Sequence, residues 1–168
     1  MNYYKIKSYA KINLALNVVG KAYSLHKIES IISFLDLHDE IFIKNINNKN
    51  HKIKFIGKFS KNISSNNTVS KLLKILDKKK ILNNQKYLIK IKKNIPQKAG
   101  LGGGSMNAAN ILSYLIKRKL IKINQKKIKS ISSSIGSDVI LGLNPKGAIL
   151  SSNNNIKKFS KCPKFYTL

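Results

Sequence analysis

The sequence lacks the features that mark disulfide-bonded, secreted and membrane-spanning proteins. It has a single cysteine, Cys162, which excludes an internal disulfide and a cysteine-based metal cluster, and we expect this thiol to be inert. No apolar run reaches the length that a membrane-spanning helix requires. Residues 1–5 contain no apolar signal core. These absences favour a cytoplasmic protein without a membrane partner.

Arginine is almost absent, although the chain is strongly basic. Only Arg118 is an arginine among 33 basic residues, and the formal net charge is +27. Specific nucleic-acid sites rely on arginine for bidentate and stacking contacts, so the charge favours non-specific attraction of anions over a specific nucleic-acid partner. Lysine, asparagine and isoleucine are enriched together along the chain, and their shared A/T-rich codons explain this enrichment through base composition.

Acidic residues are also scarce, which makes each one informative. There are six, namely Glu29, Asp36, Asp39, Glu40, Asp77 and Asp138. Asp138 is the only acid after Asp77. An isolated carboxylate among lysines is a candidate for a chemical role, although a helix cap or a salt bridge is the commoner use of an aspartate.

The chain does contain alternating and helical hydrophobic patterns, within a length of 168 residues that suits one domain with a core. Alternation predicts strands over residues 3–20, 26–36, 40–46, 52–59, 87–95 and 147–151. Helical spacing predicts helices over 68–79, 105–119 and 125–135, with Asn67 or Thr68 and Asn124 as caps. Because strands and helices mix without regular βαβ alternation, we predict an α+β fold with a mixed or antiparallel sheet packed against helices.

A turn rich in asparagine and lysine separates the predicted strands 40–46 and 52–59. Its composition predicts a hairpin between these strands. His51 falls in this lysine-rich segment, so we expect it at the surface. No third ligand at a metal-binding spacing accompanies His26 and His38.

The most informative stretch covers residues 95–110, between a predicted strand and a predicted helix. Four of the nine glycines fall within five positions here, at Gly100, Gly102, Gly103 and Gly104. A glycine-rich run at a helix N-terminus allows close approach of the backbone and directs free N–H groups at an anion. We therefore predict that this loop binds the phosphates of a nucleotide. The stretch fits neither the Rossmann fingerprint nor the P-loop, which requires a lysine after its last glycine.

Four motifs occur in an order and spacing that suggest a known family. The loop motif is Pro96-x-x-Ala99-Gly100-Leu101-Gly102-Gly103-Gly104-Ser105-x-Asn107-Ala108-Ala109. The others are Ala10-Lys11-Ile12-Asn13-Leu14, the segment from His26 through Phe34-Leu35-Asp36 to Asp39, and Gly136-Ser137-Asp138-Val139. Over nearly the whole chain these motifs resemble the GHMP kinase superfamily. The resemblance implies a GHMP-kinase N-terminal ATP-binding domain over residues 1–150 and the start of a truncated C-terminal lobe over 151–168.

Within the superfamily, the Lys11 and Asp138 motifs resemble the branch that uses ATP to phosphorylate a hydroxyl of 4-diphosphocytidyl-2-C-methyl-D-erythritol in non-mevalonate isoprenoid precursor synthesis. The resemblance implies that Asp138 accepts the hydroxyl proton and that Lys11 keeps Asp138 ionised. It implies that ATP, with Mg²⁺ near Ser105, is bound by Pro96, Gln97, Lys98, Ala99, Gly100, Leu101, Gly102, Gly103, Gly104, Ser105 and Met106. It places Asn13 and His26 against the cytidine-bearing substrate, and Asn67 and Lys93 near the nucleotide pocket. It assigns no side chain as a metal ligand.

Three departures from the family pattern concern the substrate side. Leu25 replaces an aromatic residue, for which Tyr23 could substitute, and residues 152–155 do not match the family's Gly-x-Gly-Glu motif. The chain also ends before the family's second lobe, which a homodimer, a split second chain or a relaxed site could replace. The alternatives are another GHMP kinase, such as a homoserine or mevalonate type, a remnant that binds nucleotide without catalysis, and a basic nucleic-acid binder.

Overall fold

The computed structural model describes residues 2–22, 25–152 and 155–159, which form six strands and four helices. The strands are β1 (Tyr4–Ala22), β2 (Leu25–Ile46), β3 (Lys52–Ile56), β4 (Lys86–Lys92), β5 (Ala148–Leu150) and β6 (Ile156–Lys158). The helices are α1 (Thr68–Lys78), α2 (Gly103–Lys117), α3 (Gln125–Ile135) and α4 (Val139–Gly142). Tyr23 and Cys162 lie outside the described residues.

One mixed sheet contains the six strands, and β2 is its axis. The order is β3-β4-β2-β5-β6, and β1 pairs antiparallel with β2 along nearly its whole length. The pairing of β1 with β2 shifts register at three places, between Tyr9 and Lys11, between Asn13 and Ala15, and between Val18 and Gly20. Only β3 and β4 are parallel among the described strands. The sheet is therefore mixed, as predicted.

The predicted hairpin between residues 40–46 and 52–59 is wrong. The strand β4 lies between β2 and β3, pairing antiparallel with β2 and parallel with β3. The helix α1 connects β3 to β4, and a helical crossover of this kind brings two strands together in parallel. The structure also joins the two predicted strands 26–36 and 40–46 into the single strand β2, and it adds α4 and β6, which were not predicted.

The core lies between the sheet and the helices. Its main cluster combines inward-facing strand residues such as Ile41 and Ile89 with helix residues such as Leu72, Ile111 and Leu115, all essentially without solvent exposure. A smaller cluster joins Ile32, Met106 and Leu141. The helix α2 contributes to both clusters, so its position relative to the sheet is fixed by burial of apolar surface. Within the described residues, no helix has the length and apolar character needed to cross a membrane.

His51 is not at the surface, which corrects the expectation from its lysine-rich neighbourhood. Its side chain is 11% exposed, and its Nε2 lies 3.2 Å from Asp77 Oδ2. The Tyr87 N–H donates to its Nδ1 at 3.0 Å. Burial lowers the pKa of His51 below its ordinary value near 6.5, and this effect outweighs the opposing effect of the Asp77 carboxylate. His51 thus connects the segment before β3 to both α1 and β4.

We expect the free energy of unfolding to fall as the pH is lowered below about 6.5, where an unfolded histidine begins to bind a proton. The folded state resists protonation of His51, so the unfolded state binds more protons in this range and stability rises with pH. His51→Asn should flatten this slope, because its amide oxygen can still accept the Tyr87 N–H but does not titrate. Urea unfolding of both proteins across this pH range measures the effect. An identical slope in the variant would assign the pH dependence to other groups.

Candidate active site

A cavity of about 570 Å³ lies where the N-terminal ends of α1 and α2 meet the sheet. Most of the residues singled out from the sequence line it. They are Lys11, Asn13, Asn67, Lys93, Asp138 and residues 96–105. The apolar side chains of Phe55, Ile63 and Val69 line the same cavity. The fold therefore brings three of the four sequence motifs, those of Lys11, the glycine loop and Asp138, together around one space.

Met106 is the exception among the predicted nucleotide-binding residues, because it does not line this cavity. Its side chain is fully buried in the cluster with Ile32 and Leu141. Its N–H donates to Gly102 O at 2.9 Å, in the first turn of α2. The helix begins at Gly103, two residues earlier than predicted, so Met106 already faces the core. Residues 96–105 of this stretch line the cavity, whereas Met106 does not.

The N-terminus of α2 differs from those of α1 and α3 because no side chain caps it. The Asn67 side chain accepts from two N–H groups of α1, and the Asn124 side chain accepts from one N–H of α3. The residue at the cap of α2 is Gly102, with φ of 66°. Within the described part of the chain, the N–H groups of residues 103–105 have no hydrogen-bond acceptor. Free donors at the positive end of a helix dipole are suited to an anion.

The glycine loop is held on two sides. The Lys11 N–H donates to Leu101 O at 3.0 Å, which fixes the loop to β1. The Thr68 hydroxyl donates to Gly104 O at 2.6 Å, which fixes it to α1. A Cβ added at Gly102 would lie 2.8 Å from Lys11 Cγ and 3.6 Å from Asp138 Oδ2. The absence of a side chain at Gly102 therefore lets the loop lie directly over the two predicted catalytic residues.

Lys11 and Asp138, at opposite ends of the chain, form an ion pair beside this loop. Lys11 Nζ lies 3.4 Å from Asp138 Oδ2 and donates to Asn13 Oδ1 at 2.9 Å. The Lys11 side chain is only 9% exposed, whereas that of Asp138 is 34% exposed. Asp138 precedes α4, but its side chain makes no capping hydrogen bond there. The carboxylate is thus placed on the cavity with a buried cation beside it, and the simple use as a helix cap does not apply.

The role of Asp39, whose side chain is fully buried, was not predicted from the sequence. Asp39 Oδ1 accepts from the N–H groups of Asn94 and Ile95, and Oδ2 accepts from Asn107 Nδ2 at 2.9 Å and from Lys93 Nζ. A signal was present, because Asp39 shares its strand face with Ile41 and Ile43. The period of two therefore places a carboxylate in the core, where it requires partners.

Three other predicted residues differ in where the structure places them. Gln97 lines the cavity, but its Nε2 donates to Phe59 O at 2.9 Å and Lys61 O at 2.6 Å, so it also fixes the loop after β3. Lys98 lines the cavity with φ of 56°. His26 belongs to β2 through its backbone, but its side chain lies outside the described part of the structure.

No group of three or more His, Cys, Asp or Glu side chains that could hold a metal ion occurs in the described residues.

Comparison with known sequences relates the chain to small-molecule kinases. Residues 67–147 match the family model described as GHMP kinases N terminal domain. The chain is 66% identical over 168 residues to 4-diphosphocytidyl-2-C-methyl-D-erythritol kinase of Pelagibacter ubique, covering all of this chain and 60% of that protein. It is 36% identical over 160 residues to the protein of the same name from Anaplasma marginale (strain Florida), covering 94% of this chain and 54% of that protein. The chain thus spans little more than half the length of these relatives.

Solved structures share the fold. A crystal structure of 4-(cytidine 5'-diphospho)-2C-methyl-D-erythritol kinase superposes with a TM-score of 0.73 at 22% identity, covering 93% of this chain and 55% of that chain. Homoserine kinase from Cytophaga hutchinsonii superposes with a TM-score of 0.63 at 18% identity, covering 94% of this chain and 51% of that chain. At these identities the likeness shows the fold alone, and it confirms the predicted α+β architecture.

Two glycine substitutions distinguish backbone strain from steric contact at the site. Gly100 and Gly102 both have positive φ, but a Cβ at Gly100 would meet no atom within 4 Å. We expect Gly100→Ala to cost about 1–2 kcal/mol through strain alone. Gly102→Ala should cost about 1–3 kcal/mol more, because the new Cβ overpacks against Lys11. Urea unfolding of the two variants measures the difference, and equal losses would contradict the close approach of the loop to Lys11.

Proposed function

We propose that this chain, which carries the N-terminal domain of the GHMP kinases, forms the ATP-binding part of a kinase that phosphorylates a hydroxyl of 4-diphosphocytidyl-2-C-methyl-D-erythritol in isoprenoid precursor synthesis. The observation that carries the proposal is the Lys11–Asp138 ion pair. It lies at the same cavity as the free N–H groups at the N-terminus of α2. The sequence likeness to relatives of that name supports the choice of substrate.

In this proposal ATP lies in the cavity with its phosphates on the glycine loop. The N–H groups of residues 103–105 donate to phosphate oxygens, and the buried ammonium groups of Lys11 and Lys93 offset their charge. The apolar side chains of Phe55 and Ile63 offer a surface for the base. Since both the loop and α1 are already fixed to each other, little reorganisation is needed when the nucleotide binds.

Asp138 acts as the general base. It accepts the proton of the substrate hydroxyl while the hydroxyl oxygen forms a bond to the γ-phosphorus of ATP. The bond between the γ-phosphorus and the β–γ bridging oxygen breaks, and ADP leaves. Lys11 keeps the Asp138 carboxylate ionised before proton transfer, because a cation 3.4 Å away favours the charged form. Its ammonium also stabilises negative charge on the transferred group.

Mg²⁺ fits the oxygen donors at this site. The Ser105 hydroxyl lines the cavity at the start of α2 and could supply one such oxygen. A cation held mainly by phosphates, with one or two protein oxygens, is the usual arrangement for Mg²⁺ at nucleotide sites. When bound, the ion would neutralise charge on the phosphates.

The acceptor side of the proposal rests on Asn13 and His26. Asn13 lines the cavity and accepts from Lys11 Nζ, so it connects the acceptor side to the catalytic pair. We also propose that residues 1–150 form the ATP-binding domain, that residues 151–168 begin the next lobe, and that the protein is cytoplasmic. We further propose that the protein forms a homodimer and has no specific nucleic-acid partner and no membrane partner.

Loss of the base should abolish phosphoryl transfer without abolishing nucleotide binding. With Mg-ATP and 4-diphosphocytidyl-2-C-methyl-D-erythritol, we expect Asp138→Asn to lower ADP formation by roughly 10²–10⁴-fold. Calorimetric titration with Mg-ATP should still show binding. The matched control is Asp36→Asn, which removes an exposed carboxylate from the same chain and should leave the rate unchanged.

Different outcomes would identify different functions. ADP formation with homoserine or mevalonate, but not with the cytidine-bearing acceptor, would indicate another kinase of the superfamily. Binding of ATP without turnover on any acceptor would indicate a remnant without catalysis. Unchanged turnover in Asp138→Asn would refute the role of Asp138 as the base.

A further inference from the structure

The proposed phosphoryl transfer uses the Lys93 ammonium but gives no role to its buried partner, Asp39. Asp39 and Lys93 form an ion pair whose side chains are 0% and 6% exposed. Such a pair is costly to bury and stabilises a fold only weakly, so its presence next to a ligand cavity suggests a purpose besides stability. Lys93 lines the cavity, whereas Asp39 lies behind it.

The carboxylate of Asp39 is rigidly held. Two backbone N–H groups, those of Asn94 and Ile95, donate to Oδ1 at 2.8 and 2.9 Å where β4 leads into the glycine loop. The side chain of Asn107, in the second turn of α2, donates to Oδ2. Asp39 is therefore fixed both to the segment that precedes the glycine loop and to the helix that follows it.

This rigid carboxylate determines where the Lys93 ammonium lies. A Cβ added at Gly103 would be 3.3 Å from Lys93 Nζ, so the ammonium lies directly beneath the N-terminus of α2. Within the described residues, Asp39 is the only acid paired with Lys93 and accepts the only hydrogen bond from its Nζ. An ammonium carries three N–H donors, so two remain for a ligand.

The same network contains an unsatisfied acceptor. Asn107 also lines the cavity, and its Oδ1 is buried without a hydrogen-bond partner in the described residues. A buried polar atom without a partner is uncommon in a folded protein. The Asp39 carboxylate is thus fully engaged by its partners, whereas the hydrogen-bonding capacity of the Lys93 ammonium is incomplete.

We propose that Asp39 is a positioning residue for nucleotide binding, which holds the Lys93 ammonium beneath the glycine loop so that its free N–H groups bind the phosphates of ATP. The proposal rests on the proposed function, since it assigns the phosphates to that loop. Asp39 touches no nucleotide and acts through Lys93. Without the carboxylate, the lysine side chain has no fixed orientation and the loop loses a cation at the phosphate position.

A double-mutant cycle in the full chain tests this coupling. The variants are Asp39→Asn, Lys93→Met and the double substitution, each titrated with Mg-ATP by calorimetry. We expect Asp39→Asn to weaken ATP binding by at least about tenfold when Lys93 is present, as for loss of one partner of a buried charge pair. In the Lys93→Met background the same substitution should change the dissociation constant by less than about twofold, because the residue through which Asp39 acts is gone.

A kinetic measurement separates positioning from a merely structural role. Asp39→Asn should raise the KM for ATP more than it lowers kcat, whereas Asp138→Asn should lower kcat. Equal effects of Asp39→Asn with and without Lys93, or no effect on ATP binding, would overturn the proposal while leaving the kinase assignment intact. Absence of ATP binding by the unmodified chain would overturn both.

A second variant covers the case in which Asp39→Asn does not fold. Asn107→Ala removes one donor to the Asp39 carboxylate without removing a charge. It should weaken ATP binding by a smaller factor, and again only when Lys93 is present. Far-UV circular dichroism of each variant establishes that it is folded, and an Asn107→Ala effect that persists in Lys93→Met would count against the proposal.

Discussion

The buried carboxylate of Asp39 is the interaction on which the rest of the site depends. It connects β2 to the end of β4 and to α2, which are the two elements that flank the glycine loop. A buried charge without partners would destabilise the fold by several kcal/mol, so these contacts must form together. The direction in which the glycine loop leaves the sheet is thereby set by the protein core and does not depend on the loop's own flexible backbone.

The helix N-termini around the cavity have different tasks. In α1 the Asn67 side chain satisfies the first N–H groups and Ser70 returns a bond to Asn67, which gives a closed and stable end. In α2 the corresponding groups stay free over the cavity. The two ends are joined through Thr68 and Gly104, so the capped helix supports the uncapped one. A binding site held by fixed dipoles loses little free energy to reorganisation, which is the condition that phosphoryl transfer requires.

Local features were predictable from the sequence, and long-range ones were not. The bounds of α3, the cap at Asn67 and the glycine loop follow from propensities that act within a few residues. The proximity of Lys11 and Asp138 came from family resemblance and not from any local pattern. The parallel pairing of β3 with β4 and the burial of His51 depend on contacts between distant segments, and the surrounding lysines masked that burial. The Asp39 network is non-local in the same way, although its position on an apolar strand face was a usable signal.

The register shift between Tyr9 and Lys11 has a consequence for the length of β2. Before the shift the even-numbered residues Ser8 and Ala10 face the core, and after it the odd-numbered Lys11 and Asn13 face the cavity. Across this shift β1 advances by two residues and β2 by four, from His38 to Phe34, so the additional residues lie in β2. Removing residues from the part of β2 between Phe34 and His38 would therefore change the pairing of β1 at the point where Lys11 and Asn13 turn to the cavity, with the Lys11 motif still intact in the sequence.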